Sequence, residues 1–301
     1  MFPKVPDQHK PNKPLVSNGL GIIYIIASTV YLFLLYEYLS YGHSQPPIDA
    51  SVALTLAACI LFGGFMGLLD DWMDLRWRYK AFFPLIAAIP LITLASRLEL
   101  PTRFGLRTDM TIPILGTIHF GIFYYIIIIP LIVTIVTNTV NQLGGLNGLE
   151  TICPGIVIVG LMLASFLVAE SNAILLYVPL IFWFLLAFFN FRGKIFVGNT
   201  GSFAIGITLA SFAVISDLKT ALVISILPFV FNSLLILLSY FFFRTKAAVS
   251  FDGKKLCSNH RRSLITLITY HHPLTERQVV IIISILFAAF TSAGVFIQWL
   301  L

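Results

Sequence analysis

The stretch Leu68-Leu69-Asp70-Asp71-Trp72-Met73-Asp74-Leu75-Arg76-Trp77-Arg78-Tyr79-Lys80 closes a run, residues 50–69, that holds no charged side chain. A helical span needs about 20 mostly apolar residues, so 50–69 reads as one, with the polar groups at its mouth. Working outward, comparable runs lie at 19–40, 82–98, 121–137, 153–169, 174–190, 202–217, 220–242 and 278–299, which makes about nine spans. Their length and continuity indicate helices, because a barrel would show alternating segments of about 10 residues. The expected fold is therefore all-α: a polytopic transmembrane helical bundle forming a single integral membrane domain over 1–301.

Composition agrees. Hydrophobic residues make up 58% of the 301 and charged residues 11%, against about 25% charged in soluble domains. That excludes a soluble globular enzyme, a disordered chain and a DNA-binding module. The net charge of +6 sits between the apolar spans, so it speaks for the membrane and against nucleic acid. Cys59, Cys153 and Cys257 have neither metal-ligand spacing nor a disulfide framework. Residues 1–18 are polar and proline-rich, unlike a cleavable signal peptide.

Lysine and arginine set the orientation. With 1–18 in the cytoplasm, the segments 1–18, 70–81, 138–152, 191–201 and 243–277 carry three, three, none, two and seven of them. Only Arg97, Arg103, Arg107 and Lys219 fall on the opposite side. The polar motifs are thus expected in loops on the cytoplasmic face.

Four motifs stand out. In the first, the adjacent carboxylates of Asp70 and Asp71 repel unless a cation or a shared proton relieves them. Acids at membrane depth are functional by default, and Arg76, Arg78 and Lys80 follow at alternate positions. Cation-seeking beside anion-seeking groups suit a Mg²⁺–phosphate substrate; a helix end of mixed surface charge is the simpler reading. The second, TNTVNQLGGLNGLE at 137–150, has Asn138, Asn141 and Asn147 among glycines and ends in Glu150. Asparagines offer carbonyl oxygens to a hard cation and amides to a base or sugar, though Asn and Gly also dominate turns. In the third, Gly198-Asn199-Thr200-Gly201-Ser202 opens an apolar helix behind Arg192 and Lys194. Such a turn can bind phosphate through free N–H groups, or can simply cap the helix. The fourth is the basic loop 243–277, which holds Arg244, Lys246, Lys254, Lys255, His260, Arg261, Arg262, His271, His272 and Arg277 against only Asp252 and Glu276. It favours a polyanion or anionic headgroups, or merely marks the inner side.

Together these parts suit phosphoryl transfer, which needs positioning and charge stabilisation more than covalent help. No Ser-His-Asp set, Walker loop, zinc spacing or dinucleotide fingerprint appears. A transporter of nucleotide-sugar or lipid intermediate is a rival, but a carrier should show polar groups mid-span and paired halves.

On DDWMDLRWRYK, NQLGGLNGLE, GNTGS and the His271-His272 pair, nearly the whole chain resembles the polyprenyl-phosphate N-acetylhexosamine-1-phosphate transferases. It is most similar to the eukaryotic and archaeal branch acting on UDP-GlcNAc and dolichyl phosphate. The resemblance implies Mg²⁺-dependent (or Mn²⁺-dependent) transfer of GlcNAc-1-phosphate to dolichyl (polyprenyl) phosphate with release of UMP, starting lipid-linked oligosaccharide (N-glycan) assembly. It implies Asn141 and Asn199 at the metal and Lys80 on phosphate, with Asp70 and Asp71 lining the lipid-phosphate and metal site. A phospho-enzyme formed on either aspartate is the competing mechanism. Asn147 and Glu150 fall to the nucleotide loop, and His271, His272, Arg244 and Arg262 to pyrophosphate or sugar. It also implies a homodimer, in an archaeal cell membrane or the endoplasmic reticulum. Two departures are visible. The family has aspartate where Asn199 stands, which points to weaker metal binding or to an impaired paralogue acting as a partner subunit. Members also carry a span ahead of DQHKPNKP, so that first span is expected to be absent here.

Overall fold

The structure, a computed structural model, describes residues 2–41, 48–98, 108–112, 116–168, 171–244 and 248–301. Arg103, Arg107 and Lys246 lie outside the described residues.

The polar start folds into a hairpin, β1 (Lys4–Pro6) antiparallel to β2 (Leu15–Ser17), with Val5 opposite Val16. Two long helices follow, α1 (Gly21–Tyr41) and α2 (Ala50–Met73). The Asp49 carboxylate caps α2 by accepting the Ser51 N–H, and Asp74 ends it in the left-handed conformation at φ 44°. Asp70 and Asp71 therefore belong to the last turn of α2.

The expected span 82–98 is two short helices, α3 (Trp77–Ala87) and α4 (Ile89–Leu98). Pro90 lacks the N–H that would bond Ile86, and its ring crowds that carbonyl, so the helix breaks at Ala88. After the hairpin β3 (Asp109–Ile112) and β4 (Gly116–His119), a π turn at Tyr124–Ile128 leads into α5 (Ile129–Gln142). Then come α6 (Leu149–Leu167), α7 (Tyr177–Phe191) and α8 (Gly198–Ile215). Helices α9 (Lys219–Ser225) and α10 (Leu227–Phe243) form a bent pair at 50°, where Pro228 interrupts the hydrogen-bond ladder. The basic loop holds β5 (Ser250–Phe251), β6 (Leu256–Cys257) and α11 (Leu264–Ile268), and α12 (Glu276–Leu300) completes the chain.

Seven helices among the described residues are long and apolar enough to cross a membrane, or eight if the bent pair is one span. Of the nine runs expected, 82–98, here α3 and α4, is the one not among them. The strands are confined to three small hairpins between helices, so the bundle is helical as expected.

Helix α8 is the axis. Every residue from Thr200 to Ile215 is buried, as befits a helix that is apolar on all sides. Helices α1, α2, α5 and α6 pack around it. Small residues allow close approach: a Cβ on Gly21 would strike the Gly201 backbone, and one on Gly67 would strike the Asn199 carbonyl. The outside of the bundle carries exposed Leu34, Phe65, Ile126, Ile181, Leu238 and Ile285, a surface made for hydrocarbon and not for water.

Candidate functional site

Gly67 and Asp71 are one turn apart and share a face of α2. Because Gly67 lets α2 touch the start of α8, Asp71 arrives at the first turn of that helix. Its Oδ1 accepts the Asn199 N–H at 2.9 Å. Its Oδ2 accepts the Thr200 N–H at 2.9 Å and the Thr200 hydroxyl at 2.6 Å. A negative charge is stabilised at a helix N-terminus, but here the protein supplies its own. The 198–202 turn is thus not the open phosphate nest that the sequence suggested, since Asp71 occupies two of its N–H groups.

The same turn meets α5. The Ser202 hydroxyl donates to Asn141 Oδ1 at 2.6 Å and lies 3.3 Å from the Asn199 carbonyl oxygen. Asn141 and Asn199, 58 positions apart in sequence, are joined through one side chain. Asn138, by contrast, donates back to the Thr134 carbonyl of its own helix at 2.9 Å.

Asp70 is buried. Its Oδ1 accepts the Leu75 N–H at 3.1 Å and pairs with Lys80 Nζ at 2.8 Å. Asp74 Oδ1 stands 3.7 Å from the same ammonium. The left-handed turn at Asp74 folds the chain back so that Lys80, in the first turn of α3, can reach α2. Asp70 Oδ2 is buried with no hydrogen-bond partner among the described residues.

A second group surrounds Asn147. Its Nδ2 donates to Asp7 Oδ2 at 2.7 Å and to Glu276 Oε1 at 3.0 Å. Its backbone N–H donates to Glu276 Oε1 at 2.7 Å, and Lys10 Nζ pairs with Glu276 Oε2 at 2.6 Å. The β1–β2 hairpin is held here by a bridge from Ser17 to Ile195. Asn190 Oδ1 accepts the Gly148 N–H at 2.8 Å, and its Nδ2 donates to Glu150 Oε1 at 2.8 Å. Glu150 Oε1 also accepts the Val197 N–H at 3.3 Å. Glu150 therefore braces the approach to α8 with one oxygen.

The basic loop is folded. Asp252 closes the β5–β6 turn: the Lys255 and Lys254 N–H groups donate to it and hold its carboxyl below the usual range. Ser263 and Thr266 form a capping box on α11, and the Arg262 N–H donates to Thr266 Oγ1 at 2.9 Å. Arg244 ends α10, exposed, at φ 50°. His271 is exposed at φ 53°, its ring 4.2 Å from that of Tyr270, and His272 is exposed beside it. These two histidines and Arg244 stand outside the Asp71–Asn199–Asn141 group.

The structure thus gathers Asp70, Asp71, Lys80, Asn141, Asn147, Glu150 and Asn199 at one end of the bundle. Sequence reasoning missed Asp7, Lys10, Asn190 and Glu276. Asp7 and Lys10 were visible as charges in a polar, proline-rich start, and Glu276 as one of two acids in a basic loop. Asn190 gave no signal, being a lone amide at the end of an apolar run. Among the described residues no three His, Cys, Asp or Glu side chains form a protein-only metal cage. At the start of α8 stand Asn141, whose Oδ1 takes the Ser202 hydroxyl, and Asn199, while Asp70 at the end of α2 keeps a buried, unpartnered carboxylate oxygen. Such hard oxygens fit Mg²⁺ or Mn²⁺ where substrate phosphates complete the shell.

The sequence pattern of glycosyl transferase family 4 matches residues 53–217. The chain is 32% identical to a candidate UDP-N-acetylglucosamine–dolichyl-phosphate N-acetylglucosaminephosphotransferase of Saccharolobus solfataricus, over 97% of this chain and 87% of that one. It is 32% identical to one of Sulfolobus acidocaldarius, over 73% and 64%. With the UDP-N-acetylglucosamine–dolichyl-phosphate N-acetylglucosaminephosphotransferase of Dictyostelium discoideum it shares 27% identity, over 71% and 58%.

Proposed function

The chain belongs to glycosyl transferase family 4, and on that premise we propose how this integral membrane sugar-phosphate transferase works. It transfers GlcNAc-1-phosphate from UDP-GlcNAc to dolichyl phosphate and releases UMP. In that reading it starts a lipid-linked oligosaccharide from the cytoplasmic face of its membrane, and a second copy of the chain is its natural partner.

The observation that carries this reading is the junction at Ser202. It sets Asn141 beside Asn199 while Asp71 fixes the same turn of α8. Three helix ends far apart in sequence meet there, as a reaction governed by positioning requires.

The lipid phosphate is mostly ionised near neutral pH, its second pKa lying at about 6 to 7, so it needs little help from a base. One of its oxygens attacks the β-phosphorus of UDP-GlcNAc in line. The bond from that phosphorus to the bridging oxygen breaks, and UMP leaves with the electron pair. Lys80, held by Asp70, meets the charge on phosphate. Asn141 and Asn199 would hold a divalent cation, Mg²⁺ or Mn²⁺, which supplies positive charge to the pyrophosphate when bound. Asn147 and Glu150 belong to the loop that faces the nucleotide. Arg244, Arg262, His271 and His272 meet the sugar or pyrophosphate from the basic loop. Asp71, with both oxygens already accepting hydrogen bonds, is poorly placed as a nucleophile, which leaves Asp70 as the candidate for the two-step route.

Purified protein with UDP-GlcNAc, dolichyl phosphate and Mg²⁺ tests the proposal. UMP release that depends on the lipid acceptor is expected. No UMP from either this chain or its Asn199→Asp variant would overturn it in favour of a non-catalytic role, the reading that asparagine at 199 motivates.

A further inference from the structure

The Asn147 carboxamide is held in one orientation by two carboxylates. Asp7 Oδ2 and Glu276 Oε1 lie 2.7 and 3.0 Å from its Nδ2. Ionised carboxylates only accept hydrogen bonds, so both demand the NH₂ side of the amide. The oxygen must then face away. Asn147 is 4% exposed, and its Oδ1 is buried with no partner among the described residues. That oxygen looks toward Gly193, where a Cβ would come within 3.5 Å of it.

The two carboxylates are themselves fixed. Asp7 Oδ1 accepts the His9 N–H at 3.2 Å, and the Asp7 N–H donates to the Pro14 carbonyl at 3.0 Å, both within the N-terminal hairpin. Glu276 opens α12 and is paired with Lys10. A buried carbonyl oxygen without a partner is costly, and nothing in the clamp lets it turn to find one. It is an acceptor kept for a donor from outside.

We propose that Asp7 and Glu276 are positioning residues that present Asn147 to the nucleotide base as an acceptor only, so that the site selects a base with a ring N–H. This rests on the reading that Asn147 faces the nucleotide, and it adds the source of base selectivity. Uracil carries a hydrogen on N3, whereas cytosine carries a lone pair there. An asparagine free to turn could serve either base. A locked one sets its oxygen lone pairs against those of cytosine, a repulsion of the kind that gives specificity.

The test is binding of UDP and of CDP to the detergent-purified full chain, for wild type, Asp7→Asn, Glu276→Gln, their double variant and Asn147→Ala. Wild type should prefer UDP. The double variant should lose about tenfold of that preference, mainly through better relative binding of CDP, with each single variant intermediate. Thermal melting identifies any variant that has lost its fold, and Glu276→Gln alone then carries the comparison. An unchanged UDP-to-CDP ratio in the folded clamp variants overturns the proposal, even if overall binding or turnover falls, because a merely structural brace would behave that way. A wild type indifferent to the base, or an Asn147→Ala protein with the wild-type ratio, removes Asn147 from the base and overturns the underlying reading instead.

Discussion

Asp71 and Thr200 are joined twice: one carboxylate oxygen accepts both the backbone N–H and the hydroxyl of Thr200, at 2.9 and 2.6 Å. With the Asn199 N–H on its other oxygen, Asp71 is a helix cap supplied from a neighbouring helix. Removal of a capping carboxylate costs about 1 kcal/mol. Asp71→Asn is expected to lower the melting temperature slightly and to raise the Mg²⁺ concentration needed for half-maximal rate, because Asn199 loses its anchor. A Mg²⁺ titration superimposable on wild type would remove Asp71 from the positioning of that residue.

Lys80 faces a buried carboxylate and a second, exposed one. Lys80→Ala should cut turnover by at least about 10²-fold, the scale of a lost electrostatic stabiliser. Asn141→Ala should do the same. Initial rates of UMP release check both, and wild-type rates would place the residues outside the site.

Asn199→Asp restores a charged oxygen ligand beside Asn141. The expected result is a higher rate or a lower Mg²⁺ requirement. If the titration does not move, position 199 is not a ligand.

Gly67 permits the contact on which the Asp71 cap depends. Gly67→Val pushes the larger side chain into the Asn199 carbonyl, and overpacking of this kind costs about 1–3 kcal/mol. Lower thermal stability together with lost UMP release is expected. Wild-type behaviour in both assays would show that α2 and α8 need not meet so closely.

His271 and His272 are exposed and belong to the folded basic loop. The double alanine variant should raise the KM for UDP-GlcNAc more than it lowers kcat. A fall confined to kcat would place them at the reacting phosphates instead.

The helices were legible because apolar runs of membrane length have few alternatives. The break at Ala88 within 82–98 was not, since hydropathy registers leucine and isoleucine but not the backbone effect of Pro90. Asp70, Asp71 and Asn141 were legible as polar groups in the wrong solvent. The role of Asp71 was hidden because its partners, Asn199 and Thr200, lie more than 125 positions away. A helix N-terminus in sequence does not reveal that another helix has already filled it. Asp7 and Glu276 looked like ordinary surface acids, and only the fold brings both to one amide.

Lys10 grips Glu276, so the N-terminal hairpin is fastened to the first turn of α12 across 266 positions of sequence. Until α12 has left the ribosome and inserted, the clamp on Asn147 lacks half its grip. A chain synthesised only as far as α11 would hold the Asn147 amide through Asp7 alone.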